Sequence, residues 1–555
     1  MSQPTIDRRR LLGLFGATTA AGLPFGAGAA QTVPVRFDHG VASGDPATDG
    51  AVIWTRASVA PDVTGDVALS WQVTGQPGGT PIASGQAIAR ASADRTVKVE
   101  VEGLKPGREY WYRFKGSDGT LSGEGRFRTL PVGRVDDLVL AVVSCQLYPG
   151  GFYNAYADMA KRERLDAVIH LGDYIYEYGP EGYGGDIGKR LGRLPEPGHE
   201  ILSLDDYRRR HAQVKADPDM QAAHARAAFI CVWDDHEVTN DDWVGGAQNH
   251  QEDTEGAWSA RKAVAMQAYF EWMPIRDPSA VRAKEAIFRS FEFGDLATLA
   301  MTETRLLARS KQLSFAGEPG NADDYAAFLA QRAREDRELL GTEQRDWLTG
   351  VLRESVDAGK PWQLIGNQVV MAKVAGPDLE KALGTDCYAA LLAKLPAPYD
   401  RGVPAAVERY RNGVPFNLDS WDGYPAARER LYSAFREAGT RPIVLAGDSH
   451  ASWANNLYDD AGNLVAVESG CTAISSPSYG ALLPGIGTLI AQANDEVAYC
   501  NQDLKGYTLL TLGRDRARAD YITVSTVLSR DFATKVDASF VTGAKTRFGP
   551  WTKEG

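Results

Sequence analysis

Four short apolar segments of this chain each end in a cluster of side chains that can bind metal ions. The segments 138–143, 166–171, 228–233 and 442–446 are typical of β-strands buried on both faces. The clusters that follow are Ser144-Cys145-Gln146, Gly172-Asp173 and its neighbours, Asp234-Asp235-His236-Glu237, and Gly447-Asp448-Ser449-His450. Ligands of open α/β sheets bind at the carboxyl ends of strands, so we expect these clusters to surround one cavity.

Metal binding is the simplest explanation of so many carboxylates at strand ends. Carboxylates packed this densely repel one another unless cations neutralise them. Asp173 is suited to bridge two ions, because a carboxylate has two oxygens with several lone pairs. An isolated cysteine is more often a core residue than a ligand, but the position of Cys145 at a strand end favours a ligand. The predicted metal ligands are Cys145, Asp173, Tyr176, Asp235, Asn240, Asp448 and His450.

Other residues are candidates for the chemistry beside the metal ions. His236 either supports a ligand or donates a proton to the leaving alkoxide, and Asp235 is included with it among the catalytic candidates. Arg305 follows the apolar segment 299–304 and either binds substrate phosphate or makes an ion pair, with both alternatives equally open. Asn367 follows another apolar segment and is a weaker candidate for reaching the cavity.

The pattern of apolar residues divides the chain into regions. Residues 31–132 contain short alternating strands, and Leu104 to Tyr112 is typical of the corner of an immunoglobulin-like or fibronectin-like β-sandwich. Residues 133–530 alternate strands with helical patterns, notably at 258–272 and 342–356, which predicts a layered α/β catalytic domain. Residues 531–555 are predicted to be a less regular tail packed on that domain.

The first 30 residues have the pattern of an export signal. Arg8-Arg9-Arg10 precedes a weakly apolar stretch at 13–25, and Ala27-Gly28-Ala29 offers a cleavage site. The paired arginines suggest the twin-arginine export machinery as a partner and a periplasmic or secreted location. A membrane anchor is the alternative, but the apolar part is short for a bilayer span, so we expect none in the mature protein. The net charge of -12 argues against a nucleic-acid partner.

The motifs resemble those of the metallophosphatase superfamily, whose members carry GD, GN-H-(D/E) and GH-x-H blocks after core strands. Asp235 stands where that superfamily usually has Asn, and Asp448 stands where it usually has His. Both departures, with Cys145, Tyr176 and the opening segment 39–46, resemble the PhoD-like alkaline phosphatases. The resemblance extends over essentially the whole chain, and the blocks occur in the same order.

The resemblance implies both a fold and an activity. The fold would be a four-layer α/β metallophosphatase sandwich preceded by a small immunoglobulin- or fibronectin-like domain. The activity would be hydrolysis of phosphate mono- or diesters by hydroxide activated at Fe³⁺ and Ca²⁺. The first alternative is a phospholipase D-like phosphodiesterase acting on phospholipids, since some secreted enzymes of that type share the fold. The second alternative is an exported protein that binds phosphate without turnover.

Overall fold

The computed structural model describes residues 33–279, 281–315, 322–397 and 399–554, so the predicted signal at 1–30 lies outside the described residues. The first strands are β1 (Val41–Gly44), β2 (Ala51–Arg56), β3 (Val67–Thr74), β4 (Pro81–Ala89), β5 (Thr96–Val101), β6 (Glu109–Gly116), β7 (Gly125–Arg128), β8 (Asp137–Val143), β9 (Ala167–His170), β10 (Phe229–Cys231), β11 (Asp242–Trp243) and β12 (Gly246–Ala247). The later strands are β13 (Arg289–Phe293), β14 (Ala297–Met301), β15 (Trp362–Gly366), β16 (Ile443–Ala446), β17 (Ser452–Tyr458), β18 (Leu464–Gly470), β19 (Val497–Asn501), β20 (Lys505–Gly513), β21 (Arg516–Val524), β22 (Thr534–Gly543) and β23 (Thr552–Glu554).

Helices lie between these strands. They are α1 (Asn154–Met159), α2 (Gly185–Leu191), α3 (Leu204–Lys215), α4 (Pro218–Arg226), α5 (Glu252–Glu255), α6 (Trp258–Trp272), α7 (Ala322–Arg332), α8 (Gly341–Asp357), α9 (Leu379–Leu383), α10 (Thr385–Leu392), α11 (Tyr399–Arg411), α12 (Pro425–Glu437) and α13 (Ile486–Ala493). The helical patterns at 258–272 and 342–356 correspond to α6 and α8. Within the described ranges, none of the helices is both long and apolar enough to span a bilayer.

Two large β-sheets form the centre of the molecule. A ten-stranded sheet has the order β23-β22-β21-β20-β8-β9-β10-β1-β2-β5, with β8, β9 and β10 parallel. A seven-stranded sheet has the order β13-β14-β15-β16-β18-β17-β19, with β14, β15, β16 and β18 parallel. The apolar segments therefore predict these strands, but not which of the two sheets each strand joins.

Alternate residues of the seven-stranded sheet face two different cores. Leu299 and Leu364 lie in a cluster that also contains Leu140 of the ten-stranded sheet. The next residues along each strand, Ala300 and Ile365, lie in a second cluster with apolar residues of α8 and α12. This follows from the two-residue period of strand side chains. The sheets thus share one core and carry helices outside, which confirms the predicted α/β sandwich.

The N-terminal region is joined to the larger domain through a β-sheet. Its strands β4, β3, β6 and β7 form a separate sheet, and the Tyr110 hydroxyl accepts a hydrogen bond of 2.9 Å from the Lys105 N–H at the predicted corner. Its other strands, β1, β2 and β5, belong to the ten-stranded sheet. Parallel β1 and β10 pair at Gly44 and Phe229. Hydrogen bonding therefore continues from the N-terminal strands to the strand that precedes Asp235.

The C-terminal segment differs from the expected irregular tail. Its residues form β22 and β23 at one edge of the ten-stranded sheet. Alternate residues Ala538, Phe540 and Thr542 of β22 are buried, whereas Lys535 on the same strand is exposed. Because polar residues separate the few apolar ones, the sequence pattern is too weak to show the strand. The last residues are therefore part of the sheet.

We expect Gly44→Ala to weaken the junction between β1 and β10. An added Cβ would lie 2.5 Å from the Phe229 carbonyl oxygen and still closer to that of Pro274, and neither backbone can move aside easily. The expected loss of unfolding free energy is about 1–3 kcal/mol, the usual effect of overpacking. Urea unfolding measures it, with Gly65→Ala as a control because its Cβ would meet no atom within 4 Å. Equal stability of both variants would contradict the prediction.

Candidate metal centre

The predicted ligands lie where the carboxyl edges of both large sheets meet. Cys145, Asp173 and Asp235 follow β8, β9 and β10 of the ten-stranded sheet, whereas Asp448 and His450 follow β16 of the seven-stranded sheet. All of these except Cys145 line a cavity of about 970 Å³, and Cys145 is fully buried beside it. The expectation of one cavity therefore holds, and its walls come from two sheets.

Cys145, Asp173 and His450 form the first group of donors. One ligand atom of each lies within 4.8 Å of the other two. Tyr176 completes the group, because its hydroxyl donates to Asp173 Oδ2 at 2.9 Å and lies 3.3 Å from His450 Nε2. Asp173 Oδ1 is buried and has no hydrogen-bond partner. A thiolate, a phenolate, an imidazole and an unpartnered carboxylate oxygen are a donor set that fits a metal ion.

Two further groups of donors adjoin the first. One consists of Asp173, Asp235 and His236, and the other of Asp234, Asp235 and Asp448, with the ligand atoms of each group within 4.8 Å of one another. Asp173 belongs to the first two groups and Asp235 to the last two. Shared carboxylates are the ordinary means of holding neighbouring ions, because each carries two oxygens. The residues present therefore fit more than one ion.

The electrostatics of the protein alone favour the protonated forms of four of the predicted ligands. Burial raises the pKa of Asp173 and Asp448 well above the ordinary range, and the neighbouring aspartates raise both further. Burial and then the charge of Asp173 raise the pKa of the Cys145 thiol and the Tyr176 phenol in the same way. A bound cation reverses this balance and releases the protons. The affinity for metal should therefore increase with pH.

Arg305 is enclosed by carboxylates rather than open to the cavity. Its side chain is fully buried, and it pairs with Asp234, with Asp419 Oδ2 at 2.8 Å and with Asp448 Oδ1 at 3.4 Å. It does not line the cavity among the described residues. Of the two alternatives from sequence, this geometry favours the ion pair over direct binding of phosphate. Although burial raises the pKa of Asp235, the charges of Arg305 and His236 hold it below its ordinary value.

His236 is oriented by a buried glutamate. Its Nδ1 lies 2.7 Å from Glu177 Oε2, and its ring packs on Tyr176 with a centroid separation of 4.2 Å. Burial lowers the pKa of His236, but Asp235, Glu177 and Asp173 raise it well above the ordinary value. Glu177 also accepts the backbone N–H of Asn240 at 2.9 Å. The carboxylate thus fixes both the imidazole and the loop that follows it.

The two predicted amides have different environments. Asn240 lines the cavity, and its Nδ2 donates to Gln248 Oε1 at 3.0 Å, so its Oδ1 is left as an oxygen donor. Asn367 is buried, accepts a hydrogen bond of 3.1 Å from Trp421 Nε1, and donates to the Val369 carbonyl. It does not line the cavity among the described residues. The structure therefore does not support Asn367 as a catalytic residue.

Several residues at the candidate metal centre are not predicted from the sequence. Asp234 lies within a cluster that the sequence indicates, but it is not among the predicted ligands, and Asp241 lines the cavity just after the predicted ligand Asn240. Asp419 lines the cavity from a loop that follows no strand, so the strand-end rule could not find it. Tyr183, whose hydroxyl lies 3.1 Å from His450 Nδ1, precedes a helix and shows no local signal.

The backbone of the ligands is strained. Cys145, Asp173, Asp448 and His450 have φ values of 61°, 59°, 57° and 57°. Residues other than glycine rarely adopt this left-handed conformation, and each instance costs about 1–3 kcal/mol. The strain occurs at the turns that direct these side chains together after their strands. Such strain persists where function requires it, which agrees with a site built for binding.

The two-sheet α/β fold and the donor set agree with the class to which the comparisons assign the chain, that of metal-dependent phosphoric ester hydrolases. The model of the PhoD-like phosphatase family matches residues 140–521, and the model of its N-terminal domain matches residues 22–131. The chain therefore belongs to the PhoD-like phosphatase family. It is 33% identical to alkaline phosphatase D of Bacillus subtilis (strain 168), covering 97% of this chain and 88% of the relative. A solved structure of PhoD aligns with a TM-score of 0.74 and 31% identity, over 95% of this chain and 93% of that chain.

We expect Asp173→Asn to lower the metal content and to abolish most hydrolysis. In chelated protein at pH 8 the same variant should be at least as stable as the wild type. A carboxyl with a raised folded pKa contributes stability at low pH that is lost as pH rises through that pKa, and Asn does not titrate. Metal analysis and thermal unfolding test both effects. Asp186→Asn, at an exposed carboxylate that also lines the cavity, should change neither metal content nor stability. Full metal content in Asp173→Asn would contradict the assignment.

Proposed function

We propose that the protein is an exported phosphatase that hydrolyses phosphate mono- and diesters at alkaline pH with the help of Fe³⁺ and Ca²⁺. The observation that carries the proposal is the buried, unpartnered Oδ1 of Asp173, a residue that two donor groups share. Membership of the PhoD-like phosphatase family supports the reaction class. The Arg8-Arg9-Arg10 segment supports export by the twin-arginine route.

The donor types divide between a softer and a harder cation. Cys145, Tyr176, His450 and Asp173 would hold Fe³⁺, because a thiolate and a phenolate need a strongly polarising ion to lose their protons. Asp235, Asn240 and Asp448, again with Asp173, supply the oxygen donors that Ca²⁺ prefers. When bound, the ions would activate water and stabilise charge on the phosphate oxygens.

His236 is the best placed proton donor of the described residues. Because Glu177 binds Nδ1, the ring nitrogen left for substrate is Nε2. Of the carboxylates that raise the pKa of His236, Glu177 is not among the predicted metal ligands, so its charge favours a protonated ring also when ions are bound. That proton would go to the leaving alkoxide as the ester bond breaks. Glu177 would then act as a positioning residue.

The alternatives have less support. The relative is named an alkaline phosphatase, which favours hydrolysis over binding without turnover. The same name favours a phosphatase over a phospholipase D-like enzyme, which stays the second candidate. The two differ in substrate: a lipid enzyme would prefer phospholipid vesicles to small water-soluble esters.

We expect the purified protein to hydrolyse p-nitrophenyl phosphate and bis(p-nitrophenyl) phosphate, and to lose activity in a calcium-selective chelator. Added Ca²⁺ should restore the rate, because the oxygen-rich donors favour a hard ion. Release of p-nitrophenol measures the rate, and elemental analysis identifies the metals. An active enzyme indifferent to chelation and containing only zinc would rule out the calcium assignment.

We expect the pure protein to be coloured, because thiolate or phenolate bound to Fe³⁺ absorbs visible light. Cys145→Ser removes the polarisable donor with little change in volume, so iron content should fall and the band should shift or vanish. Cys231→Ser is the matched control, because Cys231 is equally buried but lies inside β10. A colourless wild type, or a Cys145→Ser protein with full iron and activity, would leave Cys145 a structural residue.

A further inference from the structure

A second cavity lies against the one that holds the metal ligands. It measures about 330 Å³, and Tyr399, Tyr479 and Leu482 line both cavities. We name this second cavity the side pocket. The shared residues form a common wall, so the two cavities adjoin, and one molecule long enough to lie along this wall can contact both.

The side pocket is apolar. Its walls come from the helices α9, α11 and α13, through Leu379, Val403, Val407 and Ile486, among others. Arg409 is the only charged residue among its described lining residues. The metal cavity is more polar, because aspartates and imidazoles are among the residues that line it. The two cavities therefore suit the two ends of an amphipathic molecule, one charged and one apolar.

Aromatic residues at the common wall are exposed to an unusual degree. Tyr399 is 46% exposed and Tyr479 is 56% exposed. Phe416 packs edge-to-face on Tyr479, with the two ring centroids 5.4 Å apart. Because Phe416 lines the side pocket, the aromatic surface continues into it. Apolar surface that borders a binding cavity is typical of a ligand site rather than of a surface left to solvent. An apolar group lying along this wall would be removed from water at little cost.

We propose that the side pocket binds the alkyl or aryl part of the phosphate ester, a specificity that rests on the proposed phosphatase function. The occupant is a single chain. A water molecule takes up about 30 Å³ in the liquid, and a methylene group is of similar size, so the pocket has room for on the order of ten methylene groups. The two long chains of a bilayer phospholipid do not fit.

Hydrolysis of n-alkyl phosphates tests the proposal in the metal-loaded protein. Methyl, butyl and octyl phosphate are compared below their micelle concentrations by phosphate release. Each buried methylene should raise kcat/KM about fourfold, so octyl phosphate, with four more methylenes, should exceed butyl phosphate by about 250-fold. An octyl-to-butyl ratio of kcat/KM near one, in an enzyme that hydrolyses methyl phosphate, overturns the assignment of the side pocket. It leaves the proposed function intact.

Two neighbouring alanines of α11 provide a matched pair of variants. Ala406 lines the side pocket and Ala405 does not. Ala406→Phe fills the pocket and should lower the octyl-to-methyl ratio of kcat/KM tenfold or more, whereas Ala405→Phe should leave that ratio unchanged. Gly402→Leu is a second pocket variant with the same expected direction, because a Cβ there meets no atom within 4 Å. An equal effect of Ala405→Phe and Ala406→Phe overturns the proposal.

Binding and vesicle measurements separate the remaining outcomes. Calorimetry with octylphosphonate and methylphosphonate, which are not hydrolysed, should show tighter binding of the octyl compound and a negative heat-capacity change. If the protein binds octylphosphonate more tightly, and Ala406→Phe removes this preference, the result supports the side pocket. If the same protein hydrolyses no ester, the proposed function is refuted while the side pocket stands. Faster hydrolysis of dioleoyl phosphatidic acid vesicles than of octyl phosphate, with no effect of Ala406→Phe, overturns the single-chain assignment.

Discussion

The concentration of buried negative charge between the two large sheets is the constraint on which the rest of the molecule depends. Asp173 and Asp235 come from one sheet and Asp448 from the other, and Arg305 is the guanidinium that pairs with Asp448 and lies close to Asp235. Burying an unpaired carboxylate costs several kcal/mol. A cation held among these oxygens would remove that cost and would also join the two sheets. The same ions would therefore serve stability and chemistry.

Buried glutamates hold the loops that present the ligands. Glu237 accepts the backbone N–H groups of Asp173 at 3.1 Å and Asp234 at 2.8 Å, and so connects the ends of β9 and β10. After β14 of the other sheet, Glu303 accepts a hydrogen bond of 2.8 Å from the backbone N–H of Arg305. Hydrogen bonds to a carboxylate are about twice as strong as those between neutral groups. The strained turn at Asp173 is thus fixed by a buried carboxylate, Glu237, that does not line the cavity.

The sequence predicts the core of the site because strand ends carry a local signal. Cys145, Asp173, Asp235 and His450 each follow an apolar strand, and the structure brings them together at one cavity. Asn367 also follows a strand, yet its amide is bound by Trp421, a partner far away in the sequence.

The rest of the fold and site depends on long-range pairing that no local pattern records. The assignment of β16 to a second sheet, the exclusion of Arg305 from the cavity and the position of Asp419 all result from packing between distant segments. The edge strand β22 also depends on long-range pairing, because its alternation of buried and exposed residues becomes evident only when it is paired with β21. Local periodicity therefore identifies the strands and most donors, whereas their partners require the structure.

The ten-stranded sheet pairs strands that lie far apart in the sequence, and this has a consequence for how the protein is made. Strand β8, which leads to Cys145, pairs on one side with β20, a strand separated from it by most of the chain. Until β20 has left the ribosome, β8 presents an open edge of unpaired backbone groups, which invites association with other chains. Long-range pairing of this kind also slows folding. The sheet therefore cannot close around β8 before β20 has been made, and a shorter nascent chain exposes the strand that leads to Cys145.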